Sequence, residues 1–136
     1  MVTDEEFRSK VTIFIISTIG AIIVGSTILH ILYNHFIDEI GAALFLLIPA
    51  VYIGVLNEEI KQSMLSMVIS IVGIIFLTSL GRSMPALIGI FPHSRDLFIF
   101  QQITETIPLI FLLVPFITVG TMIGVIINEF SLKQRY

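Results

Sequence analysis

The chain contains no cysteine and no tryptophan. Without cysteine it can form no disulfide, offer no thiolate to a metal and carry no thiol redox chemistry. That separates it from the four-helix membrane oxidoreductases, which work through paired thiols. Charge is almost as scarce. Only 12% of the 136 residues are Asp, Glu, Lys or Arg, where a soluble domain carries about a quarter. There is no basic cluster, so the chain has no electrostatic footprint for nucleic acid. The net charge of −3 says little about partners, because the charges are bunched into separate short segments.

What remains is apolar: 56% of residues are hydrophobic and the mean hydropathy is +1.04. Residues 11–33, 40–57, 63–81 and 106–128 contain no Asp, Glu, Lys or Arg. Each run is 18 to 23 residues long, about what a helix needs to cross a hydrocarbon core of about 30 Å. The expected fold is therefore all-α: a four-helix transmembrane bundle forming a single integral membrane domain over residues 1–136. The first run exceeds the ~7–15-residue core of a signal peptide, and Asp4, Glu5 and Glu6 precede it alongside Arg8 and Lys10, so it reads as a retained helix. The three acids suit the first turn of a helix, where the macrodipole favours negative charge.

The loops give an orientation. Arg8 and Lys10, then Lys61, then Lys133 and Arg135 fall on one side of a four-span chain, and only Arg82 and Arg95 on the other. By the positive-inside rule both termini face the cytoplasm of a cell membrane. The short connection around Glu58 and Glu59 suggests that helices two and three are antiparallel neighbours. The outer segment 82–105 is long and apolar, with Met84, Leu87, Ile88, Ile90, Phe91, Leu97, Phe98, Ile99 and Phe100 punctuated by Pro85, Gly89 and Pro92. It reads as a loop lying in the membrane interface, in one or two short amphipathic segments.

The two halves resemble each other. Residues 37–49 align with 103–115 without gaps, matching Ile, Glu, Phe, Leu, Leu and Pro, and Gly54 and Gly120 continue the match. A duplicated helical hairpin is one reading, and shared apolar composition is the other. A duplication implies two halves related by an axis along the membrane normal. Glu39 and Glu105 would then lie at equal depth, and Pro49 and Pro115 would interrupt helices two and four near mid-membrane.

The side chains able to carry chemistry collect at the outer end. Arg82 closes helix three and Glu105 opens helix four, so an antiparallel pair brings them to one height, with Glu39 as a second partner. This cluster serves either as a structural clasp or as a seat for an anionic or carbonyl headgroup. His30, His35 and His93 map to the same side as additional polar groups. Their spacing places no two imidazoles on one helix face and none in mid-span, so no metal or cofactor is assigned. Gly20, Gly25, Gly54, Gly73, Gly120 and Gly124 would let helices approach closely.

Asp38-Glu39 followed by Gly41, Leu80-Gly81-Arg82-Ser83, the Gly- and Pro-containing outer segment and Glu105 resemble a group of small four-helix membrane proteins of the DoxX-like type. That resemblance implies a fold and no activity. No reaction is specified by these residues. The leading expectation is a non-catalytic accessory subunit of a larger membrane complex, of respiratory, oxidase or translocation type, with the lipid bilayer and other membrane subunits as partners. A small homo-oligomeric transporter or channel is the alternative, followed by a membrane enzyme or lipid-binding protein with a pocket at the outer end.

Overall fold

The apolar runs fold as helices, and the third and fourth helices outlast their runs at both ends. In a computed structural model describing residues 3–35, 37–57, 59–90 and 92–134, with the side chains of 109 and 112 left aside, four helices follow one another. They are α1 (Asp4–Tyr33), α2 (Glu39–Leu56), α3 (Ile60–Leu87) and α4 (Arg95–Lys133). Each contains a stretch long and apolar enough to cross a membrane, and the chain is a multi-pass membrane protein. Arg135, Glu58 and Phe91, used above to read topology and loops, lie outside the described residues.

Local chemistry sets the helix ends. Thr3 caps α1 by accepting from the Glu6 backbone N–H, and Asp4, Glu5 and Glu6 fill its first turn. Asp38 caps α2, its carboxylate accepting from Gly41 N–H at 2.7 Å. At the end of α3, Gly89 adopts φ +86, the left-handed conformation in which a helix commonly stops.

This changes the reading of segment 82–105. Pro85 lies inside α3, and α4 begins ten residues before Glu105. Of the expected loop only residues 88–94 remain between helices. The prolines misled because an apolar stretch with Pro and Gly looks like a broken segment. Here Pro85 is carried inside α3, and the break comes after Leu87, where Gly89 takes a positive φ. α4 has 39 residues, about 58 Å at 1.5 Å per residue, well beyond a ~30 Å core. The α3–α4 pair therefore continues past the Arg82–Glu105 level.

Packing departs from the chain order. His30 lies against Gly81, Gly25 against Ile74 and Thr18 against Ser66, so α1 and α3 run side by side and parallel. Gly54 meets Gly124, and Gly120 meets Ala50, making α2 and α4 a second parallel pair. The α1–α2 and α3–α4 contacts close the square, leaving α2 and α3 on a diagonal with few contacts. The expectation that α2 and α3 are neighbours is thus not met. Helices ~8–10 Å apart have a diagonal of about 13 Å, which the few residues between Leu56 and Ile60 can reach when extended.

Small residues decide this arrangement. A Cβ on Gly54 would strike the Thr121 carbonyl oxygen, and one on Gly124 the Val51 carbonyl oxygen. In lipid, close backbone approach of this kind supplies the dispersion contacts that hold helices together. The same packing excludes a two-fold axis along the membrane normal, which would put α1 and α3 on opposite corners. It also staggers α2 against α4. Gly54 faces Gly124, one turn beyond its sequence counterpart Gly120, so Glu39 sits about one turn nearer the membrane centre than Glu105.

The core has three layers. At the end carrying the termini it is polar, with buried Ser17, Thr18, Asn57, Ser63, Ser66 and Ser70. Ala21, Leu46, Ala50, Ile53, Ile74 and Ile117 fill the middle. Beyond them Thr78, Ser79, Ser83, Gln102 and Thr106 are again buried and polar. Thr18, Ser26, Thr106 and Thr121 return their hydroxyl protons to carbonyls four residues back, which makes a hydroxyl tolerable in an apolar bundle.

Candidate functional site

At the end remote from the termini, α3 and α4 are tied by Arg82. Its Nη2 lies 2.9 Å from Glu105 Oε2, and its Nη1 donates to Thr106 Oγ1 at 3.4 Å. The guanidinium carbon stands 3.6 Å from the centroid of the Tyr33 ring, a cation–π contact. Tyr33 in turn donates its hydroxyl to the Glu105 backbone carbonyl at 3.3 Å. The Arg82 side chain is mostly buried, whereas Glu105 is about half exposed.

The extension of α4 contributes a residue that the sequence did not single out. Gln101, one turn before Glu105, donates to its Oε1 at 2.8 Å. Both carboxylate oxygens are thus occupied by donors. These bonds, first from Gln101 and then from Arg82, hold the Glu105 carboxyl below its ordinary value of 4.5. Reading Glu105 as the first residue of its helix hid this partner, because an i−4 neighbour exists only if the helix begins earlier.

Glu39 is elsewhere. It shows no hydrogen bond or ion pair to Arg82 and instead lines a cavity of about 460 Å³ with Leu32, Tyr33, His35, Ile37, Asp38 and Ile40. The three histidines stay apart in role. His30 donates from Nδ1 to the Ser26 carbonyl at 2.8 Å and packs against Gly81, whose missing Cβ leaves room for the ring. His35 takes φ +60 in the α1–α2 turn and faces the cavity. His93 is exposed between α3 and α4. Among the described residues no group of three His, Cys, Asp or Glu is placed to hold a metal ion.

A second polar centre, near the termini, was not anticipated. Asn57, 2% exposed, donates to Ser17 Oγ at 3.1 Å and to the Ile53 carbonyl at 2.9 Å. Asn128 donates to the Asn57 carbonyl at 3.4 Å. One residue thereby joins α1, α2 and α4. The available signal was an Asn closing an uncharged run, but nothing in the sequence says it turns inward.

The chain matches no family model, no curated protein and no solved structure.

Proposed function

We propose that the protein is a non-catalytic subunit of a larger membrane complex, placed in the cell membrane with both termini in the cytoplasm. The observation that carries this reading is the α3–α4 extension. Past the Arg82–Glu105 level it presents Met84, Ile88, Ile90, Leu97 and Phe100, all about half exposed or more. A helical pair this apolar, braced at its base by an ion pair and a ring stack, suits contact with another multi-pass protein at the membrane surface.

Two further features support a structural role. The apolar middle layer around Leu46, Ile53, Ile74 and Ile117 separates the polar layers, which weighs against a pathway through one bundle. The glycines at 25, 54, 73, 120 and 124 are already used for packing within the chain, so a partner is engaged by the extension and not by a glycine face.

Mild extraction followed by native mass measurement of the complex tests the proposal. A defined hetero-complex is expected, and it should dissociate when Leu97→Asp and Phe100→Asp are introduced. A monomer, or a complex indifferent to those two changes, would contradict it.

A further inference from the structure

Two adjoining hollows meet at Glu39. The first is the 460 Å³ cavity under the α1–α2 turn, walled by Tyr33, His35, Asp38 and Glu39 and by apolar Leu32, Ile37 and Ile40. The second, about 210 Å³, lies between α2 and α4 and is lined by Glu39, Ile40, Ala43, Leu44, Leu113 and Phe116. Glu39 and Ile40 border both. A chamber of mixed lining thus adjoins an apolar groove, with Glu39 at the border.

The position of that junction matters. The α2–α4 stagger sets Glu39 about one turn below the Arg82–Glu105 pair, at a height where α4 has entered its uncharged run. A carboxylate at this depth is costly without a countercharge. Arg82 is engaged by Glu105, and Asp38, the neighbouring acid, uses its carboxylate to cap α2. No hydrogen bond or ion pair to Glu39 is found among the described residues. Glu39 is exposed in the first turn of α2, where the helix dipole offsets part of its charge, but it has no cationic partner among those residues, and the groove beside it is apolar.

We propose that this junction binds a membrane lipid whose headgroup carries a positively charged amine. The ammonium pairs with Glu39, the neighbouring phosphate ester takes a proton donor from His35, and one acyl chain lies in the groove over Ala43 and Leu113. Ala43 and Leu113 form the floor, being almost wholly buried, and Ile40, Leu44 and Phe116 stand exposed on its sides. This assignment stands independently of the subunit reading, since it needs only the single chain.

The test is native mass spectrometry of the full chain in detergent, with synthetic phosphatidylethanolamine or phosphatidylglycerol of identical acyl chains added. Retention of the amine lipid is expected to exceed that of the anionic lipid by about tenfold, equivalent to about 1.4 kcal/mol. Glu39→Gln should abolish the preference, and Leu44→Trp, a change at an exposed position, should weaken both lipids by filling the groove. Glycerophosphoethanolamine, which has the head but no chains, should not be retained. Thermal melts of both variants matching the parent show that the fold is kept. If either melt falls, the lipid preference is read at a temperature where that variant is folded. Equal retention of the two lipids, or a preference unchanged by Glu39→Gln, would overturn the assignment.

Discussion

The Arg82 guanidinium lies between a carboxylate and an aromatic ring, 2.9 Å from Glu105 and 3.6 Å from the Tyr33 centroid. Three helices therefore meet through one side chain at the end of the bundle remote from the termini. Replacing Arg82 by Ala should lower the melting temperature in detergent more than Glu105→Gln does, because it removes the stack and the hydrogen bond to Thr106 together with the ion pair. Arg82→Lys should restore only part of the loss, since an ammonium lacks the planar fork and the stacking face. Equal melting of Arg82→Ala and the parent would contradict this role.

The same pair predicts a pH response. Glu105 is held below its ordinary value, so the unfolded chain binds its proton more readily than the folded one. The stabilisation is fully present above the unfolded value near 4.5 and is lost as pH falls through the lower folded value. A melting-temperature profile should decline in that acid window, and Glu105→Gln should flatten this part of the decline. A profile identical in parent and variant would remove the pair from the account.

Helix packing can be tested at glycines of contrasting surroundings. Gly54→Ala and Gly124→Ala place a Cβ against backbone of the facing helix, and each should destabilise by about 1–3 kcal/mol. Gly20→Ala meets only Tyr52 Cε1 at 3.6 Å, an ordinary contact, and should be neutral or stabilising by up to about 1 kcal/mol. Unfolding in a mixed-detergent titration separates these outcomes.

Asn57 offers a test at the opposite end. Asn57→Ala should cost about 1–3 kcal/mol by removing its bonds to Ser17 and the Ile53 carbonyl and leaving a small void. Asn57→Asp should be markedly worse, because it buries a charge or forces protonation. Comparable stability of the two variants would mean that the site is wetter than its burial indicates.

The four spans were legible in the sequence because an uncharged run of membrane length has few other physical uses. The Arg82–Glu105 pair was legible too, since the charges flank two consecutive runs and an antiparallel turn must bring them together. The lengths of α3 and α4 were not. Their extensions contain Pro85, Arg95 and Asp96, residues that mark breaks in a hydropathy reading yet are accommodated in helices. Nor was the diagonal placement of α2 and α3, which depends on backbone contacts of Gly54 and Gly124 with neighbours far along the chain. Glu39 was paired with Arg82 on the assumption of equal depth, and the one-turn stagger of α2 removes that assumption.

The placement of the membrane boundary at the Arg82–Glu105 level underlies the projecting extension, the depth of Glu39 and the proposed partner surface alike. A single-cysteine scan along α4 tests it directly, and the cysteine-free chain gives no background. With a membrane-impermeant thiol reagent applied to sealed vesicles of each orientation, Asp96→Cys and Thr104→Cys should label from the side opposite the termini. Ile107→Cys and Phe111→Cys, though exposed on the bundle surface, should be protected from both sides. Protection at Asp96 and Thr104, or labelling at Phe111, would contradict the account.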